Sequence, residues 1–134
     1  MTASAAWEAL PFFRTFGVTV AVSERGYVLL DVDRAKIQLR GIRASINGGI
    51  VAALGQAAAL VCLESALEPG ERVGAAQEVT VLYLSSARGD ATAAEARLVR
   101  KGGRLAVMEA EVRDSGTGML NAKILVCWTL ERGG

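Results

Sequence analysis

The stretch that decides the fold is Ser45–Gln56, which reads SINGGIVAALGQ. Two adjacent glycines, Gly48 and Gly49, lead into a run of small apolar residues, so the pattern predicts a turn followed at once by a helix. The first N–H groups of a helix lack intrahelical partners and lie at the positive end of its dipole. Because glycine allows close approach to the backbone, this entry is suited to hold an electron-rich oxygen, from a phosphate or from an acyl carbonyl.

The predicted helix continues to about residue 66 and ends before the sequence Glu-Pro-Gly at 68–70, a strong stop. The segment 46–63 is nearly long enough to span a membrane. Asn47, Gln56 and the many small residues favour a packed central helix instead, so no membrane association is predicted. A helix that is apolar nearly all round must be covered on most sides.

Strands are predicted on both sides of this helix. Before it, residues 7–13 predict a short helical turn interrupted by Pro11. Two β-rich runs at 18–22 and 27–32 flank a hairpin turn, and a mixed basic segment at 35–45 forms a loop into the helix. After it, four runs joined mainly by glycine-containing turns predict a long antiparallel meander; they occupy residues 76–84, 91–100, 104–114 and 119–130. The expected fold is one α+β domain over residues 1–134. A curved antiparallel sheet wraps one long central helix, and residues 1–16 form an N-terminal helical extension.

Composition excludes several classes of function. The 15 basic and 14 acidic residues nearly cancel, which argues against a nucleic-acid surface. Histidine is absent, so His-dependent nucleophile activation and His-containing zinc sites are excluded. Cys62 and Cys127 lie far apart among apolar neighbours, which predicts reduced thiols, no metal site and a cytoplasmic location. The N-terminus lacks the pattern of a signal peptide. With 51% hydrophobic residues, some apolar surface is expected between subunits of a homo-oligomer.

Three stretches resemble the hotdog-fold thioesterase family related to phenylacetate-degradation proteins. They are the glycine-pair helix entry NGGIVAAL, the strand end VTVLYLSSA and the basic hairpin AEARLVRKGGRLAV, at residues 47–54, 79–87 and 94–107. The resemblance implies a hotdog fold and a dimer, often paired into a dimer of dimers, with active sites at the dimer interface. It also implies an acyl-coenzyme A (acyl-CoA) substrate, with coenzyme A as part of that substrate and no separate cofactor.

In that family the backbone N–H at the position of Gly49 polarises the thioester carbonyl, and a carboxylate contributed across the interface activates water or attacks the carbonyl. This sequence departs from the pattern at four positions. Asn47 replaces a histidine, Gln56 replaces the catalytic Asp or Glu, Gly41 replaces an Asn or Gln, and Ala76 replaces a Ser or Thr. Since an amide is neither a nucleophile nor a useful base, weak hydrolysis is expected, with Asn47 and Gln56 orienting carbonyl and water.

Alternatives remain open for both amides: Asn47 could simply cap the helix, and Gln56 could be a buried structural amide that bonds to a strand or to a neighbouring subunit. Glu64 and Glu78 are the candidates for a substitute base. The candidate coenzyme A contacts, which could equally be solvated polar groups, are Gly48, Ser85, Ser86, Arg88, Arg97, Arg100, Lys101 and Arg104. Two other functions compete with hydrolysis: a non-catalytic acyl-thioester binding module and a purely structural oligomer.

Overall fold

The computed structural model describes residues 2–33, 45–89 and 91–133. Among these residues the chain forms three helices and six strands. In order they are α1 (Ala3–Glu8), α2 (Pro11–Thr15), β1 (Val18–Glu24), β2 (Tyr27–Val32), α3 (Gly48–Ser65), β3 (Glu71–Tyr83), β4 (Thr92–Lys101), β5 (Leu105–Asp114) and β6 (Leu120–Arg132). The predicted 35–45 loop, including Gly41, lies outside the described residues except for Ser45.

The six strands form one antiparallel sheet in the order β1-β2-β4-β5-β6-β3. The predicted meander is therefore correct for β4, β5 and β6 and wrong for β3, which lies beside β6 at the far edge. Chain neighbours pair reliably when a tight turn joins them. The connection from Tyr83 to Thr92 is longer than a hairpin turn, and it lets β4 pair with the free edge of β2 instead.

Helix α3 packs against the inner face of the sheet. Leu54, Ala58, Cys62 and Leu63 have no exposed surface. By length and composition alone α3 could cross a membrane, but 56% of its residues are buried inside the fold. At Gly55 the helix lies close against the sheet, because a Cβ at this position would lie 2.4 Å from Cδ1 of Ile124. These contacts confirm the prediction of a central helix enclosed by a curved sheet.

The N-terminal segment differs from the single interrupted turn that the sequence predicted over 7–13. It forms two helices, and Pro11 begins the second one. Proline is well tolerated in the first turn of a helix, where its missing N–H has no intrahelical partner to lose. Phe12 and Phe13 make edge contacts in an aromatic cluster that also includes Trp7 and Phe16. The cluster attaches the segment to the core.

A buried carboxylate anchors the start of β3. The side chain of Glu71 is 1% exposed and accepts hydrogen bonds from Lys101 Nζ at 2.6 Å and Arg132 Nη2 at 3.2 Å. The backbone N–H of Glu68 donates to it at 2.8 Å. The hydrogen bond from Lys101, followed by that from Glu68, lowers the pKa of Glu71. This ion-pair group ties the β4 end to both β3 and β6.

Candidate active site

Asn47 caps helix α3. Its side-chain Oδ1 accepts the Gly49 N–H at 2.8 Å, and its backbone oxygen accepts the N–H groups of Ile50 and Val51 at 3.0 Å each. The capping interpretation of Asn47 is therefore confirmed. Of the first three helical N–H groups, that of Gly48 is left without a partner in the part of the chain that the structure describes.

This cap has a direct consequence for Gly49, whose N–H is the predicted donor to a thioester carbonyl. That N–H is already used by an amide carbonyl oxygen, an acceptor of the same kind as the oxygen of an acyl group. The Asn47 oxygen therefore occupies the position that the sequence analysis predicted for a substrate oxygen. For the Gly49 N–H to donate to a thioester carbonyl, as predicted, the side chain of Asn47 must first turn away.

A cavity of about 530 Å³ opens at this helix entry and is called the entry cavity below. Tyr83 covers one side of it, since its hydroxyl donates to the Gly48 carbonyl at 2.8 Å and its ring lies over the Gly48 Cα. Among the described residues the lining contains no carboxylate. It consists of Ser45, Ile46, Asn47, Gly48, Val51, Tyr83, Leu84, Ser85, Ser86 and Ala87.

Gln56 lies in a different cavity, of about 360 Å³, called the aromatic cavity below. Its Nε2 donates to the Ala52 carbonyl of the same helix at 3.3 Å. Among the described residues, this side-chain hydrogen bond therefore stays within α3 and does not reach a strand. Position 56 is nine residues beyond Asn47, about 13 Å along the helix axis. A single chain therefore does not bring Asn47 and Gln56 into one cavity.

The rest of the aromatic cavity was missed by the sequence reasoning. Apolar side chains from residues 7–13, α3 and β6 form it, namely Trp7, Leu10, Phe12, Phe13, Ala53, Ala57, Leu60 and Trp128. A signal was present, because all three phenylalanines and one of the two tryptophans fall within residues 7–16. So many aromatic residues in a short N-terminal segment indicate that the segment lines a cavity as well as forming a helical turn.

The two candidate substitute bases lie outside both cavities. Glu64 is exposed near the end of α3. Glu78 is exposed on β3, opposite Cys127 of β6, and accepts a bond from the Thr80 hydroxyl at 3.4 Å. Neither one lines the entry cavity or the aromatic cavity. Within one chain, the described residues therefore place no carboxylate at either cavity.

The predicted coenzyme A contacts fall into two groups. Gly48, Ser85 and Ser86 line the entry cavity, and the two serines also line, with Arg88, a neighbouring cavity of about 480 Å³. Arg100 and Arg104 line a recess of about 420 Å³ at the β4–β5 hairpin.

The other two basic side chains of the hairpin are engaged by neighbours. Lys101 binds the Glu71 carboxylate, and Arg97 lies 5.3 Å from the Tyr27 ring centre and 3.3 Å from Glu95. The same Glu95 accepts a bond from the Tyr27 hydroxyl, which raises the pKa of that tyrosine. Among the described residues, no group of three or more His, Cys, Asp or Glu side chains could hold a metal ion.

Comparison with known proteins identifies the family. Residues 44–120 match the model of the thioesterase superfamily, and this chain belongs to that superfamily. A thioesterase family protein from Silicibacter pomeroyi is 26% identical, with a TM-score of 0.77 over 94% of this chain and 91% of that one. No curated protein sequence matches significantly.

Two more distant structures show the same fold. Zebrafish thioesterase superfamily member 2 is 20% identical, with a TM-score of 0.79 over 94% of this chain and 91% of that one. A Haemophilus influenzae thioesterase is 14% identical, with a TM-score of 0.79 over 98% and 92%. Together with the family match, these neighbours confirm the hotdog fold.

Proposed function

We propose that this protein hydrolyses acyl-CoA thioesters, and does so weakly. The observation that carries the proposal is the α3 entry of a thioesterase-superfamily chain. Gly48 lines an open cavity there and its N–H has no partner among the described residues, while the Gly49 N–H is freed when the Asn47 side chain turns away. Such groups stabilise negative charge that develops on a carbonyl oxygen. The superfamily supplies the reaction class, and the helix entry supplies the place where the carbonyl is held.

In the proposed reaction the thioester oxygen replaces the Asn47 side-chain oxygen on the Gly49 N–H. Water attacks the carbonyl carbon, and the resulting oxyanion is stabilised by the N–H groups at the positive end of α3. The carbon–sulfur bond then breaks, releasing the carboxylic acid and the coenzyme A thiol, which takes up the proton from the attacking water. Without a general base the rate is lower by about 10²–10⁴.

The proposal includes a homodimer, because Gln56 is too far from Asn47 within one chain. As in the resemblance, the dimer pairs into a dimer of dimers. Gln56 reaches the entry cavity from a second subunit and orients the attacking water. Strand β3 supports this arrangement: in the described sheet it pairs only with β6, and its other edge is free. Val79, Leu82 and Tyr83 on this strand are exposed apolar residues, a combination typical of pairing edges.

Light scattering during size-exclusion chromatography tests the dimer. Val79→Lys is expected to give monomers without thioesterase activity. Thr19→Lys, on the edge strand β1 at the opposite end of the sheet, is the matched control and is expected to leave both properties unchanged. A fully active Val79→Lys monomer would contradict the shared site.

Coenzyme A would lie along Gly48, Ser85 and Ser86 toward Arg88 or the basic recess of Arg100 and Arg104. Lys101 is left out of this proposed set because its ammonium group is paired with Glu71. As part of the proposal we place the protein in the cytoplasm, where its two free cysteines would stay reduced.

A second candidate function is acyl-thioester binding without turnover. One observation favours it specifically: Gln56 occupies the expected carboxylate position, and the described residues of both cavities contribute no carboxylate in its place. A chain of this kind would retain the carbonyl-binding helix entry and lack the group that activates water.

Thiol release from short, long and aromatic acyl-CoA esters separates these functions. Hydrolysis by the wild type that is abolished in Gln56→Ala supports the proposed reaction. An inert wild type with an active Gln56→Asp variant supports binding, because the aspartate restores a base to an intact site. No release from any of them, together with no coenzyme A binding, leaves only a structural oligomer. Glu64→Gln and Glu78→Gln serve as controls and are expected to match the wild type.

A further inference from the structure

Two side chains hold the peptide group between Gly48 and Gly49, one at each end. Its N–H belongs to Gly49 and donates to Asn47 Oδ1 at 2.8 Å. Its carbonyl belongs to Gly48 and accepts the Tyr83 hydroxyl at 2.8 Å. A trans peptide is planar, with C=O and N–H pointing in opposite directions, so a bond that fixes one group also fixes the other. The Tyr83 hydroxyl therefore bears on the direction of the N–H to which the proposed function assigns the thioester carbonyl.

This peptide group needs such a hold because it lies between two glycines at the start of a helix. Glycine restricts backbone rotation less than any other residue, and helix ends fray. In the proposed reaction the Asn47 side chain leaves the Gly49 N–H, so one of the two side-chain bonds is lost when the carbonyl is bound. The bond from Tyr83 remains. A carbonyl oxygen has two acceptor positions, so this bond is compatible with the helical one to the N–H four residues on.

Tyr83 is itself held in place by the sheet. It is the last residue of β3 and lies opposite Ala122 of β6. The next two backbone N–H groups both donate to the Asn121 carbonyl, at 2.8 and 3.2 Å. The Tyr83 ring rests on Gly48, since a Cβ there would lie 3.4 Å from ring carbon Cε1. Although the residue is 57% exposed, its hydroxyl is a donor fixed in advance, whereas a solvent water at the same carbonyl would have to be oriented.

We infer that Tyr83 is a positioning residue that acts through the Gly48–Gly49 peptide group. Its hydroxyl holds the peptide plane, so the Gly49 N–H keeps its direction when the Asn47 side chain turns away. The same bond draws electron density toward the Gly48 carbonyl oxygen, which makes the N–H a stronger donor. The consequence for catalysis rests on the proposed function, whereas the hold on the peptide group does not.

Steady-state thiol release from an acyl-CoA ester tests the catalytic consequence. Tyr83→Phe removes only the hydroxyl and is expected to lower kcat about fivefold, the net effect of one hydrogen bond. KM should stay close to that of the wild type, because charge on the thioester oxygen develops only in the transition state. Tyr27→Phe is the matched control and should retain both values, since Tyr27 is the other of the two tyrosines and its hydroxyl donates to Glu95.

Two kinetic results would overturn the inference. A raised KM with unchanged kcat in Tyr83→Phe would assign the hydroxyl a contact made equally with substrate and transition state. Wild-type kcat in Tyr83→Phe, with a reduced kcat in Tyr83→Leu, would show that only the packing of the ring matters. Light scattering is expected to give the wild-type oligomeric state for Tyr83→Phe, because the ring is retained.

Nitrogen-15 relaxation of the Gly49 N–H tests the hold without any substrate. In Asn47→Ala the Tyr83 bond is the remaining side-chain hold, so the order parameter should stay near the roughly 0.85 of rigid backbone. Adding Tyr83→Phe should lower it toward the roughly 0.6 of flexible backbone, while the buried Leu54 in mid-helix keeps its value. An unchanged Gly49 order parameter in the double variant would overturn the inference. Should that variant fail to fold, Asn47→Gly replaces Asn47→Ala, because glycine costs a helix start less than alanine does.

The two measurements separate this inference from the proposed function. Hydrolysis by the wild type, with kcat and the Gly49 order parameter unaltered in the Tyr83 variants, contradicts only the role of Tyr83. Loss of order at Gly49 without hydrolysis by the wild type contradicts only the proposed reaction.

Discussion

Replacing Asn47 tests whether its side chain competes with substrate for the Gly49 N–H. Asn47→Ala removes the helix cap, which lowers the free energy of unfolding by about 1 kcal/mol and Tm by about 3–6 °C for a domain of this size. The same change removes the 2.8 Å hydrogen bond between the Gly49 N–H and the Asn47 oxygen, so substrate no longer has to break it in order to bind. A hydrogen bond of net worth about 1 kcal/mol corresponds to a roughly fivefold rise in kcat/KM.

A series of substitutions makes this test sharper. Asn47→Asp places a carboxylate at the positive end of α3, which stabilises the cap by about 0.5 kcal/mol and should lower kcat/KM about twofold. Asn47→Ser retains a shorter cap and should fall between asparagine and alanine. The measurements are thermal unfolding and thiol release from one acyl-CoA ester. Activity that falls together with stability along the series would refute the competition and would assign Asn47 a direct contact with substrate.

Three further predictions concern the fold. Gly55→Ala should lower the free energy of unfolding by about 1–2 kcal/mol in denaturant titration, because overpacking against Ile124 exceeds the gain in helix propensity; an unchanged midpoint would contradict this helix–sheet distance. The lowered pKa of Glu71 stabilises the fold above the ordinary glutamate pKa of about 4.3, and this contribution is lost as pH falls through the lowered value. In Lys101→Met the acid-induced loss of stability should therefore be smaller, as measured by Tm against pH, and an identical pH profile would show that Lys101 does not stabilise the carboxylate. Burial raises the pKa of Cys62 to about 11, so alkylation near pH 8 should leave Cys62 unmodified in the folded chain, and mass spectrometry showing rapid modification would contradict its burial.

Much of the fold could be predicted because its signals are local. The glycine pair and the Glu-Pro-Gly stop bound α3 to within one residue of its observed range, and β2 occupies the predicted residues 27–32. The position of β3 in the strand order could not be predicted from local signals, because it depends on which edges of the sheet are free for pairing. Pairing between distant segments depends on the whole sheet, so the sequence of a single strand carries no signal for it.

The candidate site shows the same division. The sequence predicted the helix entry. It could not predict the hydrogen bond from the Gly49 N–H to Asn47, because that bond depends on the rotamer of the Asn47 side chain. The pairing of Lys101 with Glu71 joins residues thirty positions apart, so the basic hairpin alone did not reveal that this charge is neutralised. The hydrogen bond from Tyr83 to the Gly48 carbonyl also joins residues far apart in the chain, so neither stretch alone predicted it.

The central claim is that the α3 entry holds the acyl carbonyl in place of the Asn47 cap. A crystal structure with a non-hydrolysable ketone analogue of an acyl-CoA tests this most directly. The ketone oxygen is expected about 3 Å from the Gly49 nitrogen, with the Asn47 side chain turned away. An analogue bound elsewhere, with the Asn47 oxygen still on the Gly49 N–H, would contradict it.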